Sequence, residues 1–213
     1  MAPGVPIPFL LKNLDRLYPK ARSALHFSKP LEMLVAAILA AQCTDARVNL
    51  VTPALFKKYP NAAAYARAKP SALQAELRSI NFYRNKAANI QKACRILVES
   101  YGGKVPATLE ELTALPGVGR KTANMLLANS FGVPGVIVDT HVKRVAYRLG
   151  LTRSADPEQI ERDLQAALPK RRWALVSHQL TAHGRELCKA PRPFCSRCPL
   201  AVACPRAGVS ASK

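Results

Sequence analysis

Four of the six cysteines fall within the seventeen residues "CKAPRPFCSRCPLAVAC", from Cys188 to Cys204, with the spacing C-x6-C-x2-C-x5-C. Four thiolates this dense form a metal-ligand set, and zinc and iron–sulfur centres both accept four of them. Zinc sites more often pair two C-x2-C knuckles set well apart, so the single C-x2-C inside longer loops is less typical of zinc. Residue chemistry alone leaves the two metals open. The loop between Cys188 and Cys195 adds two cations, Lys189 and Arg192, suited to a phosphate partner. Cys43 and Cys94 lie in apolar, helix-like stretches and are expected in the core.

A second chemical centre lies in "LTALPGVGRKTANMLLANSFG". One helix is expected to end near Leu115 and another to begin near Gly119. Between them, Pro116-Gly117-Val118-Gly119 forms a sharp turn that exposes backbone N–H groups. Gly117, Val118, Gly119 and Arg120 then lie at a helix start, where donors and dipole together favour an anion such as a DNA phosphate. Lys121 is in the first turn of that helix. The helix dipole and neighbouring Arg120 disfavour its protonated form, and partial burial would add to this. A neutral amine is a nucleophile. Asp139 follows eighteen residues later in "VIVDTHVKRV". It suits a helix N-cap and also a carboxylate acting beside that amine. A phosphate-facing lysine and a plain cap account for the same two residues, so chemistry and structure stay equally open here.

The elements that must position these groups are helical. "PLEMLVAAILAAQ" starts at Pro30 and is apolar nearly all round, the pattern of a buried central helix. Capping boxes are expected at Ser71-x-x-Gln74, Thr108-x-x-Glu111 and Asp156-x-x-Gln159, the last with Pro157 in the first helical position. "YRNKAANIQKACRILVESYGG" keeps a 3.6-residue apolar rhythm and stops at Gly102-Gly103. "RRWALVSHQLTAHGREL" is a further helix, with Trp173 as a core anchor and His178 and His183 as structural residues. Only "GVIVD" resembles a strand, and it is too short for a sheet. The tail "RAGVSASK" is expected to be loose. The fold class is all-α.

Charge narrows the partner. The 213 residues include 32 Lys and Arg against 13 Asp and Glu, a net +19. Self-repulsion opposes compaction at such a charge, and the usual reason to keep it is a polyanion, with nucleic acid first. The longest uncharged run, Thr122–Val138, is interrupted by Gly132, Pro134 and Gly135, so no membrane span is expected. The N-terminus lacks a basic region ahead of an apolar one, so no secretion signal is expected. A reducing, cytoplasmic location follows, nucleoid-associated if the source is bacterial, where clustered cysteines suggest metal rather than disulfides.

Taken in order, "AAQCTDARVN", "YRNKAANI", "LPGVGRKTANMLL", "VDTHVKRV", "HGRELC" and the cysteine cluster make the chain resemble the endonuclease III family of DNA glycosylases, over about residues 7–205. The resemblance implies two helical lobes: a six-helix barrel with the helix-hairpin-helix over 23–133, and an iron–sulfur cluster domain joining 1–22 to 134–213. The substrate would occupy the cleft between the lobes. The resemblance also implies a bifunctional DNA glycosylase/AP lyase of base excision repair. It would remove oxidised pyrimidines from duplex DNA through a Schiff base on Lys121, with Asp139 assisting, and cut 3′ to the abasic site. A 4Fe–4S cluster would be held by Cys188, Cys195, Cys198 and Cys204. Gln42 would fill the space left by the flipped base, Phe82 would wedge the opposite strand, and His141 would touch the backbone. Two departures from the family pattern stand out: Asn81-Phe82 replaces its usual Gly-Leu, and Ala40 replaces a common serine. Both bear on lesion range rather than on the type of reaction. Double-stranded DNA with damaged pyrimidines or abasic sites is the implied partner, and a monomer is expected. Two other readings keep part of the pattern. An adenine mismatch glycosylase shares hairpin and cluster but typically lacks the lysine and carries a further C-terminal domain. A non-catalytic helix-hairpin-helix protein with a structural metal would not need Lys121 and Asp139 together.

Overall fold

The structure, a computed structural model, describes residues 4–213. It holds eleven α-helices and, among the described residues, no strand. In chain order they are α1 (Ile7–Leu17), α2 (Pro30–Ala40), α3 (Asp45–Lys58), α4 (Ala62–Arg67), α5 (Pro70–Glu76), α6 (Tyr83–Tyr101), α7 (Leu109–Thr113), α8 (Arg120–Ser130), α9 (Thr140–Arg148), α10 (Pro157–Ala167) and α11 (Trp173–Glu186). The all-α reading holds. No helix is long and apolar enough to cross a membrane among the described residues. The chain divides into two compact units, Ser23–Val133 with α2–α8, and the N-terminal segment through Arg22 together with Pro134–Lys213.

In the Ser23–Val133 unit, α2 is the centre. Met33 through Leu39 are all buried, and the helix packs against α3, α6 and α8. Each large side chain in that stripe stabilises the unit by about 1.5–3 kcal/mol through burial. Pro30 opens the helix as expected, because its fixed φ suits the first helical position. α6 ends where the paired glycines require: Gly102 has φ 57°, and the Gly103 N–H donates to Leu97 O at 2.7 Å. Thr108 caps α7, accepting from the Glu111 N–H at 3.3 Å. Ser71 does not cap α5. Pro70 takes the first helical position, Lys69 becomes the N-cap, and Ser71 falls inside the helix. Cys94 is buried in the core, while Cys43 lies half-buried in the turn after α2 rather than in a helix.

In the other unit, α9 and α11 approach so closely that a Cβ on Gly184 would sit 2.9 Å from His141 Cβ and 3.1 Å from Arg144 Nη2. Only glycine permits this contact. α1 is tied to α11 by Asp15, which accepts from both Arg172 Nη atoms (3.1 and 2.5 Å) and from Gln179 Nε2 (2.9 Å). These partners hold the Asp15 carboxyl below the ordinary carboxylate range, the Arg172 hydrogen bond most of all. Trp173 packs half-buried against the core and donates through Nε1 to Leu168 O at 3.0 Å. Asp156 caps α10, but Gln159 does not close a box: its Nε2 donates to Asp163 Oδ1 at 2.8 Å. The segment "GVIVD" is extended and buried, and the Ile137 N–H donates to Ser177 Oγ at 3.0 Å. The tail is not loose. Ala207 N–H donates to Arg148 O (3.3 Å), Lys213 N–H to Pro193 O (2.8 Å) and Ser196 N–H to Lys213 O (3.0 Å).

Candidate functional site

The hairpin forms between α7 and α8. Gly117 has φ 80°, and a Cβ there would meet Asn89 Cβ and Nδ2 at 3.0 Å, so both conformation and space call for glycine. Val118 turns inward: its side chain is in the core and its N–H donates to Leu115 O at 3.1 Å. It is thus occupied by the fold rather than offered to a ligand. Gly119 is the N-cap of α8, with φ −89° and no side-chain cap. Any residue adopts that φ, and a Cβ at Gly119 would meet nothing within 4 Å. Arg120 and Lys121 follow as the first two helical residues, both exposed. The partial burial expected at Lys121 is absent, because its position in the first turn faces away from the core residues Ala123, Leu126 and Leu127.

Asp139 caps α9 in the other unit. Its Oδ1 accepts from the Val142 N–H at 2.7 Å, and its Oδ2 accepts from the Thr181 hydroxyl at 3.1 Å. The carboxylate is half-buried and fixed at both oxygens. His141, two residues on, is half-buried against Gly184 and lies 3.2 Å by Nδ1 from Arg144 Nη2. Burial lowers its pKa, opposed by Asp139 and reinforced by Arg144 and Arg185. Burial likewise lowers His178, again opposed by Asp139. Thr181 gave no signal in sequence, because a threonine at mid-helix reads as filler.

Two of the three exposed non-glycine residues with left-handed backbones were site candidates; the third is Arg206. Gln42 has φ 51° and follows α2 by two residues; Phe82 has φ 57°, is 63% exposed and precedes α6. The backbone around them is held by Lys86, which sequence reasoning missed, and by Asn81, whose holding role it missed. Lys86, only 6% exposed, donates through Nζ to Leu39 O (2.8 Å) and Ala41 O (2.5 Å). Asn81 Nδ2 donates to Gln42 O at 2.8 Å. Burial pushes the Lys86 ammonium below its ordinary value. A lysine one turn before Ile90 on the buried stripe of α6 was the available signal.

All four clustered cysteines are outside any disulfide and line one pocket that opens to solvent. His183, Arg148 and Phe194 are also part of its wall. His183 is buried: the Tyr18 hydroxyl lies 3.2 Å from its Nδ1 and Cys198 Sγ 3.6 Å from its Nε2. Burial pulls this imidazole down to about 4, so it is neutral. The Arg148 guanidinium, almost fully buried, donates to the carbonyls of Cys188 (3.3 Å), Lys189 (2.8 Å) and Pro191 (3.4 Å), and shapes the loop that carries Lys189 and Arg192. Lys189 and Arg192 are exposed, and Lys189 Nζ lies 5.5 Å from the Phe194 ring centroid. Burial raises the Cys198 and Cys204 thiols, and the neighbouring cysteines add to the effect as like charges. A bound cation would reverse that penalty, which is the donor chemistry a metal centre requires. Among the described residues no three His, Cys, Asp or Glu side chains are grouped to hold a single metal ion.

Residues 35–170 match the HhH-GPD superfamily of base excision DNA repair proteins. The chain is 51% identical over 202 residues to an endonuclease III of Synechocystis sp., covering 94% of this chain and 92% of the relative. It is 46% identical to an endonuclease III of Bacillus subtilis, over 93% and 91% of the two chains. Among solved structures, a trapped endonuclease III–DNA covalent intermediate superposes with a TM-score of 0.90 at 44% identity, covering 94% of each chain. A thermostable thymine-DNA glycosylase superposes at 0.85 but with 20% identity, a likeness of fold alone. The glycine hairpin ahead of an exposed lysine, the fixed aspartate cap and the four-thiol pocket therefore sit in a chain that belongs to the endonuclease III family of base excision DNA glycosylase/AP lyases.

Proposed function

We propose that the protein binds duplex DNA, removes oxidised pyrimidines and cuts the strand 3′ to the resulting abasic site. Gly117 and Gly119, with Arg120, would receive a backbone phosphate at the start of α8. The open space over Gly119 supports this, since the fold itself does not require glycine there. Lys121 supplies the amine that attacks C1′ of the extruded nucleotide. The bond from C1′ to the base breaks, and its electron pair leaves with the base, which takes up a proton. The amine loses a proton, the sugar ring opens, and C1′ and Nζ form a Schiff base. Loss of a C2′ proton then expels the 3′ phosphate, so the strand is cut by β-elimination. Asp139 receives the amine proton or stabilises positive charge on the sugar.

The observation that carries this reading is the contrast between the two groups. Lys121 is exposed on the first turn of α8, whereas Asp139 is half-buried and fixed at both oxygens by Val142 and Thr181. Gln42 would occupy the space vacated by the base, and Phe82 would wedge the opposite strand. His141, Lys189 and Arg192 would contact the backbone. Asn81-Phe82 and Ala40 shift the lesion range by changing the wedge and removing a hydroxyl. Cys188, Cys195, Cys198 and Cys204 would hold a 4Fe–4S cluster, which supplies four thiolate–iron bonds that cross-link this loop-rich segment. The protein would act as a cytoplasmic monomer, nucleoid-associated if its source is bacterial.

Borohydride added during reaction with abasic-site or thymine-glycol duplex tests the assignment. Wild type should form a covalent protein–DNA adduct. Lys121→Gln should form none and cut nothing while still binding the lesion. Adduct formation at full rate in Lys121→Gln would place the nucleophile on another amine.

A further inference from the structure

Gln42 and Phe82 share a backbone state that L-residues with a Cβ rarely adopt, φ 51° and 57°. Such a conformation persists only where surrounding groups hold it. For Gln42 the holding groups are identifiable. Its φ is set by the orientation of the peptide plane joining Ala41 to Gln42, and its ψ by the plane joining Gln42 to Cys43. The first plane is fixed through Ala41 O, which accepts from Lys86 Nζ at 2.5 Å. The second is fixed at both ends: the Cys43 N–H donates to Ala40 O at 3.1 Å, and Gln42 O accepts from Asn81 Nδ2 at 2.8 Å. Asn81 is also the residue immediately before Phe82, so one amide ties the two left-handed residues together across 39 positions of sequence.

We propose that Asn81 is a positioning residue for base extrusion, locking Gln42 to the Phe82 turn so that the two side chains enter the duplex as one rigid unit. This rests on the reading of Gln42 as the group that fills the vacated space. A glycine at position 81 would offer no such amide, so the coupling belongs to this chain's own Asn81-Phe82 pair.

Single-turnover kinetics test it, with a 2-aminopurine reporter beside a thymine glycol in duplex DNA. Asn81→Ala should slow both the fluorescence rise and base removal by about five- to tenfold, the scale of one lost hydrogen bond. Borohydride trapping on a single-stranded abasic oligonucleotide, where nothing is extruded from a duplex, should be unchanged. In a Gln42→Ala background, Asn81→Ala should slow extrusion by less than about twofold more, because its target is gone. If Gln42→Ala slows extrusion but Asn81→Ala does not, the coupling is wrong. Equal slowing by Asn81→Ala in both backgrounds, or slower trapping on the single strand, would show a merely structural residue and overturn the proposal. If Gln42→Ala leaves extrusion at the wild-type rate, the reading of Gln42 fails and the proposal fails with it.

Discussion

Replacing Asp139 separates its duty as a helix cap from its duty as a charge. In Asp139→Asn the cap survives, because the Asn carbonyl can accept from the Val142 N–H as Oδ1 does now at 2.7 Å. The second oxygen is also replaceable. Thr181 has one hydroxyl proton and two acceptors in reach, Asp139 Oδ2 at 3.1 Å and Ser177 O at 3.0 Å. With an amide at position 139, that proton turns to Ser177 O and one Nδ2 hydrogen donates to Thr181 Oγ1, so the contact between the two side chains is kept. What is lost is a carboxylate at a helix N-terminus, about 0.5 kcal/mol. The melting temperature should fall by about 1–2 °C. Asp139→Ala loses cap and charge together, about 1.5 kcal/mol, or about 3–6 °C. Both variants lose the carboxylate proposed to act beside the sugar, and both should slow base removal by about 10²–10⁴-fold. His141 and His178 should titrate still lower in each variant, since the Asp139 charge now raises both. Thermal unfolding, imidazole NMR titration and single-turnover cleavage of thymine-glycol duplex measure the three effects. A fast Asp139→Asn beside a slow Asp139→Ala would mean that Asp139 matters only as a cap.

The remaining predictions concern binding and metal. With a net charge of +19, log K for duplex DNA should fall steeply with log salt, about 0.9 per phosphate contacted. Lys189→Ala and Arg192→Ala should each flatten that slope by about one, and an unchanged slope would remove the loop from the interface. Natively expressed protein should contain iron and absorb broadly near about 400 nm, and Cys195→Ser should lower both the absorbance and the soluble yield. Zinc without iron would reject the cluster assignment.

Helix starts and stops were readable because they depend on one or two residues with a local effect. Pro30 and Pro157 open helices, Thr108, Asp139 and Asp156 cap them, and Gly102 ends α6. Ser71 misled because two local signals competed: a proline at the first helical position outranked a serine one step later. The tail misled for a different reason. Its Ala, Gly and Ser residues offer no apolar face, yet its order comes from backbone hydrogen bonds to Arg148, Pro193 and Ser196, which composition does not encode. Val118 shows the limit of motif reading. It lies inside the hairpin that carries the phosphate argument, but its valine side chain serves the core.

The division between legible and hidden residues follows the range of the interactions. Lys121 and Asp139 are placed by the helices they begin, so neighbouring residues announce them. Lys86, Asn81 and Arg148 act over 47, 39 and 41 residues, through hydrogen bonds to backbone carbonyls whose partners no spacing rule names. Each leaves only an indirect trace. Lys86 lies on the buried stripe of α6 with Ile90 and Cys94, and Arg148 lies beside Val145 and Leu149 on the buried side of α9. A cation on an apolar stripe costs free energy unless its donors are satisfied. In both cases they are satisfied by the carbonyls of a turn or loop that carries exposed residues assigned to DNA: Gln42 for Lys86, Lys189 and Arg192 for Arg148. The same device therefore occurs once in each unit. A buried cation on a rigid helix fixes an irregular backbone segment, and that segment carries residues proposed to meet the nucleic acid.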